Sequence, residues 1–379
     1  MLLAADTVVT GTDLLRPGWI DVEGTTIAAV GAGVPPRAPN VALGAVTVVP
    51  GFVDTHVHGG GGANFSAAMS DQTATAVNLH RAHGTTTLVA SLVTASPDGL
   101  LREVRGLAAD VRAGVIDGIH LEGPWLSALR CGAHQPALMR DPDPAEIARV
   151  LEAGEGAVRM VTIAPERTGA LDAIALLVDA GVVAAVGHTE ATYEQTRAAV
   201  NAGATVGTHL FNAMRPINQR EPGPVVALLE DERVTVEVIT DGVHVAPAIY
   251  RHVIRAAGPY RVSLITDAMA ATGVSDGAYR LGPLDVEVVD GVARVAGTDT
   301  IAGSTATMDH VFRWAFSRSG LPVDDAMLLA VQQSSTNPAR ALGLPGGSLV
   351  AGAAADLVML DADLAIAGVM RRGEWLVGP

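Results

Sequence analysis

The chain has 379 residues, 49% of them hydrophobic but only 3% aromatic, so a large core plus a smaller satellite must be built from Val, Ala, Leu and Ile. Its formal net charge of −15 argues against a nucleic-acid partner, which needs clustered Lys and Arg for its phosphates. All 25 basic residues are arginine, so a Schiff-base, P-loop or carboxylated bridging lysine is excluded.

A single cysteine, Cys131, rules out a disulfide within the chain and points to a reducing compartment. The opening "MLLAADTVVTG" lacks the basic region and apolar length of a signal peptide. No apolar run approaches the ~18 residues of a membrane span. The expectation is a soluble, cytoplasmic protein with no membrane partner.

Residues 1–45 alternate strands and turns, most clearly in "WIDVEGTTIAAVGAG". Between residues 46 and 270, short β-branched runs alternate with longer helical segments. The runs are "AVTVVPGFVDTHVH", "TTTLVAS", "GVIDGIHLEG", "VRMVTIAPE", "VVAAVGHT", "TVGTHLFN", "VTVEVITDGVH" and "RVSLITDAM". Ser96-Pro97 and Asp143-Pro144 pair a capping side chain with proline at the first helical position. Glu146, three residues after Asp143, suits a capping box, and Gly203 and Gly258 lie where helices would end. Eight near-continuous apolar strands predict a parallel sheet buried on both faces, able to close into a (β/α)8 barrel. An open doubly wound sheet is the alternative, but no G-x-G-x-x-G follows the first strand. Residues 276–300 read as a β excursion, and 345–379 again as strands and turns. Each flank is too short for its own core, so the two ends are expected to pair into one small β-domain beside the barrel.

Active sites of such barrels lie at the C-terminal ends of the strands. Those ends carry His56 and His58, Glu122, His188, His209, His244 and Asp267 in chain order. His56 and His58 share one side of an extended segment, and the four glycines that follow leave space in front of them. His and Glu/Asp are the ligand types for Zn²⁺ and related divalent ions, and their shared position on so many strands is the strongest signal in the chain. Asp267 alone could be a helix cap, and Glu122 alone a buried ion-pair member. His120 faces the same way as Glu122 but a layer deeper, which suits a satisfied core histidine. His134 reads as a substrate contact or a plain loop residue. His80, His83, His252 and His310 fall in helical segments and read as surface or packing residues; Cys131 is given no role.

The stretches "PGFVDTHVHG" (50–59), "HLEGPW" (120–125), "GHT" (187–189), "THLFNAM" (208–214), "DGVH" (241–244), "TDAMAATG" (266–273), "IAGS" (301–304) and "NPAR" (337–340) are similar to those of the N-acetylglucosamine-6-phosphate deacetylase family of the amidohydrolase superfamily. The resemblance covers essentially the whole chain. It implies a TIM-like barrel over 46–344, with a small β-sandwich made of 1–45 and 345–379. It implies Glu122, His188 and His209 as ligands of the principal metal, and His56 and His58, with Glu122 bridging, as ligands of a second. Ala133, His134, Asn212, Ala213, His244 and the backbone of Ile301, Ala302 and Gly303 become substrate contacts, and homodimers are expected. Arg220 can fork to phosphate oxygens.

The reaction so implied is hydrolysis of the N-acetyl group of N-acetylglucosamine 6-phosphate by metal-activated hydroxide, with Asp267 as general base and then acid. Zn²⁺ is expected, with Fe²⁺, Mn²⁺ and Co²⁺ also suited. A deacetylase of the galacto epimer, a cyclic amidase, an aminohydrolase acting on a base, or a metal-free binding barrel stay open; the absent lysine counts against the cyclic amidases.

Overall fold

The computed structural model describes residues 1–378. Its centre is a ring of eight parallel strands: Phe52–Val57, Thr85–Val93, Gly118–Glu122, Val158–Ile163, Val183–Val186, Val206–Gly207, Thr235–Val238 and Val262–Leu264. Each expected run contributes one. The ring closes through a parallel bridge between Val57 and Ala268. There the His58 amide donates to the Ala268 carbonyl at 2.8 Å, and the Asp267 amide to that of His56 at 2.9 Å. Helices such as Pro97–Arg112, Pro144–Gly154 and Tyr193–Asn201 cover the outer face, which is why the strands are apolar on both sides.

Local chemistry sets the helix ends. Ser96 accepts from the Gly99 amide and Asp143 from the Ala145 amide, as expected. Gly258 ends helix Pro247–Ala257 at φ 70°, and Gly203 follows helix Tyr193–Asn201 at φ 113°. The capping box expected of Glu146 does not form. Its carboxylate instead takes the Arg140 guanidinium, at 3.1 and 3.0 Å from Nε, a charge-assisted fork that outcompetes a backbone amide.

The run expected as one strand over 45–58 is divided at Pro50–Gly51. Pro50 has no amide hydrogen with which to continue a ladder. The strand before it, Val41–Pro50, pairs parallel to Leu2–Val9 and antiparallel to Leu357–Leu360. Both chain flanks thereby enter one eight-stranded mixed sheet. Leu3, Ile20, Ile27, Val48, Leu357, Met359 and Met370 form its core, drawing on strands across the whole order. The layers of the expected sandwich are thus parts of one continuous sheet.

The lower end of the barrel is sealed. Val53, Val89, Met160, Ala185 and Val206 point down onto Ala339, Leu342 and Leu344, and Asn337 donates to the Pro259 and Val262 carbonyls at 2.8 Å. The expected excursion is a three-stranded sheet, Gly277–Leu281, Leu284–Val289 and Val292–Val295. Its Leu281, Val286 and Val288 pack with Ala133, Met269 and Ala302, over the open end. Among the described residues no helix is long and apolar enough to cross a membrane.

Candidate active site

At the open end the Glu122 carboxylate, 3% exposed, is surrounded by imidazoles. Its Oε1 lies 2.9 Å from Nε2 of His188 and 2.9 Å from Nε2 of His209, which are themselves 3.0 Å apart. Its Oε2 lies 3.2 Å from Nε2 of His58 and 3.2 Å from Nε2 of His134. His56 and His58 bring their Nε2 atoms to 3.2 Å of each other. Asp267 Oδ1 stands 3.1 Å from His58 Nε2 and 3.5 Å from His56 Nε2. Strand ends far apart in sequence, from His56 to Asp267, thus converge around one carboxylate.

The hydrogen bonds fix where the ring protons sit. Nδ1 of His188 faces the Arg130 carbonyl at 2.9 Å, and a carbonyl can only accept, so Nδ1 carries the hydrogen. The Nε2 lone pair of a neutral His188 then points at a carboxylate oxygen. His56 repeats the pattern: Nδ1 lies 3.3 Å from Glu237 Oε2, leaving its Nε2 lone pair among His58, Glu122 and Asp267. Burial pushes the His56 and His58 rings down, but Glu122 and Asp267 more than reverse this, so the pocket favours positive charge, whether ring protons or a metal cation. Two groups of ligand types lie close enough to share an ion, His56 with His58 and Glu122, and Glu122 with His134 and His188.

His134 differs. The Thr94 amide, an obligate donor, points at its Nδ1 at 3.2 Å, so the ring hydrogen is on Nε2 and is donated to Glu122. Burial pushes His134 down to about 4, which keeps the ring neutral. Despite its closeness to Glu122 and His188, His134 is therefore a donor at the cleft rather than a ligand.

Burial pushes the Asp267 carboxyl up, but the neighbouring His56 and His58 more than reverse this and leave it below the usual carboxylate range. His244 donates from Nδ1 to Asp241 Oδ2 at 2.7 Å. Burial works against charge on His244, and Asp241 outweighs it, so its pKa is raised. His188, His209, Ala213 and Asp267 all have left-handed backbones, at φ 46°, 27°, 49° and 50°. Such conformations concentrate where packing holds functional groups against their backbone preference.

These groups border a cleft of about 280 Å³, also lined by Gly132, Ala133, Asn212, Leu281, Asp299, Thr300, Ile301 and Gly303. Ala302 is buried behind its wall, and Arg220 is exposed on the loop after the sixth strand, outside the cleft. A larger cleft of about 590 Å³ lies between helix Met308–Arg318 and the terminal sheet. Its arginines, Arg16 and Arg313, are already paired with Asp324 and Asp309 at 2.7 Å, and it holds no convergent ligand set. His120 is the satisfied core histidine expected, between Ser91 Oγ at 2.9 Å and Thr162 Oγ1 at 2.8 Å. Sequence reasoning missed Glu237, whose signal was a lone acid within the apolar run "VTVEVIT". It also missed Gly132, Asp299 and Thr300, which carry no such signal.

The chain belongs to the amidohydrolase family, whose characteristic pattern matches residues 47–376. Within it, the chain is similar to proteins that remove acetyl groups from amino-sugar phosphates. A solved structure of the D267A variant of N-acetyl-D-glucosamine-6-phosphate deacetylase from Mycobacterium smegmatis, in complex with N-acetyl-D-glucosamine-6-phosphate, is 75% identical. It covers 100% of this chain and 99% of its own, at a TM-score of 0.99. N-acetylglucosamine-6-phosphate deacetylase of Vibrio furnissii is 35% identical over 94% of this chain and 89% of its own. N-acetylgalactosamine-6-phosphate deacetylase of Escherichia coli O157:H7 is 35% identical over 95% of this chain and 96% of its own.

Proposed function

We propose that this protein hydrolyses the N-acetyl group of N-acetyl-D-glucosamine 6-phosphate, giving D-glucosamine 6-phosphate and acetate in amino-sugar catabolism. The carrying observation is the set of imidazole nitrogens gathered on Glu122, ligand types that a divalent cation suits, opening into a cleft beside Asp267. The 75% identity to the Mycobacterium smegmatis enzyme supports the gluco epimer.

Glu122, His188 and His209 would hold the principal ion, and His56 and His58, with Glu122 shared, a second; Zn²⁺ is our first choice. Bound there, the ion supplies Lewis acidity that makes water nucleophilic at neutral pH and polarises the acetyl carbonyl. Asp267 takes the proton of the attacking water and returns it to the departing amine nitrogen, one carboxylate serving both steps because it begins ionised. His134 donates its Nε2–H to Glu122, holding that carboxylate in place, and lines the cleft as a substrate contact. His244, held by Asp241, with Asn212, Ala213 and the Ile301–Gly303 segment, positions the sugar phosphate. Arg220 reaches the phosphate of a neighbouring subunit in a homodimer, which accounts for its exposure here. We divide the chain into a barrel over 46–344 and a terminal domain of 1–45 with 345–379, strand Val41–Pro50 crossing the boundary. The unpaired Cys131 thiol suits a cytoplasmic setting.

The test offers the metal-loaded protein N-acetylglucosamine 6-phosphate, its galacto epimer, unphosphorylated N-acetylglucosamine and dihydroorotate. Acetate release fastest from the first is the expected result. Ring opening of dihydroorotate without acetate release would refute the reading.

A further inference from the structure

Glu237 sits on the seventh barrel strand, 1% exposed, and no arginine pairs with it. Its two oxygens take two separate partners from the first strand. Oε1 accepts from Thr55 Oγ1 at 3.0 Å, and Oε2 lies 3.3 Å from His56 Nδ1. A carboxylate buried with only neutral donors is costly unless positive charge lies close by. Here that charge can reach it only through the His56 ring, whose far nitrogen faces Glu122, His58 and Asp267.

The other ring nitrogens are served differently. His188 Nδ1 meets a neutral carbonyl, that of Arg130. Nδ1 of His58 and of His209 has no hydrogen-bond partner among the described residues. Among these four imidazoles, only His56 is backed by an anion. A carboxylate behind a ligating imidazole fixes its tautomer and raises its basicity.

We propose that Glu237 is a positioning residue for the second ion: it locks His56 with Nε2 free, makes that nitrogen the more basic, and thereby sets the affinity of the His56–His58 place. This rests on the metal-dependent reading above and extends it to a residue outside the ligand set. With no lysine in the chain to be carboxylated, Glu237 supplies to that ion, through one imidazole, negative charge beyond what Glu122 gives directly.

The test uses the full chain, stripped with a chelator and titrated with Zn²⁺ against a chromophoric competitor, and separately with Co²⁺ followed by its visible spectrum. The parent protein is expected to bind two ions of unequal affinity. Glu237→Gln, equal in size, should weaken the looser ion by roughly 10–100-fold and leave the tighter one unchanged, a split that general loosening of the barrel would not produce. Equal titrations of parent and variant would overturn the assignment. So would a parent that binds one ion, while the reading on Glu122, His188 and His209 would stand. A parent that binds no ion would overturn both. Should Glu237→Gln fail to fold, Glu237→Asp, which draws the carboxylate back by one methylene, carries the same opposed outcomes.

Discussion

Replacing Asp267 by Asn separates chemistry from binding, and the backbone makes it the right replacement. Asp267 has φ 50°, a left-handed conformation that Asn tolerates far better than most residues. Its amide donates to the His56 carbonyl at 2.9 Å and its carbonyl accepts from Ser304 at 2.7 Å, so a change of conformation here would reopen the barrel seam. Asn keeps those bonds and the side-chain volume while removing the ability to accept a proton. Acid–base catalysis of this kind contributes roughly 10²–10⁴ in rate, equivalent to about 3–5 kcal/mol of barrier. Asp267 serves both the attacking water and the leaving amine, so the loss belongs at the upper end of that range. The expected outcome is a kcat lowered about 10³–10⁴-fold, with KM and metal content near those of the parent, measured as acetate release under saturating sugar phosphate. A kcat within about tenfold of the parent, some 1.4 kcal/mol, would refute the role given to this carboxylate.

Gly132→Ala tests the loop over the cleft. The residue has φ 54°, and an added Cβ would stand 3.0 Å from Cε1 of His188. The left-handed penalty of roughly 1–2 kcal/mol should displace the loop, lowering kcat/KM by about tenfold while the melting temperature hardly moves; full activity would mean the loop does not bear on His188. Glu103→Gln tests pH-dependent stability. Burial pushes the Glu103 carboxyl up to about 7, with Oε2 unpartnered among the described residues. The folded form therefore holds this proton more tightly than the unfolded chain, and stability declines as pH rises from the ordinary carboxylate range through 7. The variant should match the parent near pH 4 and exceed it by up to about 3 kcal/mol near pH 8, read from denaturant curves; an equal difference at both pH values would refute the account.

The barrel was legible because its strands are short, β-branched and separated by capped helices, and because side chains at their ends share one rim. The two-residue spacing of His56 and His58 needed only strand geometry to be read. What stayed hidden depends on partners distant in sequence. The proton on His134 is set by the Thr94 amide, just past the end of the second barrel strand. Glu237 becomes informative only when Thr55 and His56 face it. Glu146 matched a local motif, yet Arg140 offered a stronger partner, and motif reading has no measure of that competition. The division at Pro50–Gly51 was written in the proline, but the neighbouring apolar residues continue unbroken into the barrel and conceal it.

The terminal sheet has a consequence for how the chain matures on the ribosome. Strand Val41–Pro50 is made early, yet the strand that covers one of its edges, Leu357–Leu360, appears some three hundred residues later. At ~5–20 residues per second that edge waits roughly 15–60 s, with Val48 and Val49 available to any passing extended segment. Slow emergence, a stalled transcript or loss of the last strands would leave the same adhesive border. Yield of this enzyme in a foreign host should therefore respond to holdase chaperones acting during synthesis more than to conditions applied after release.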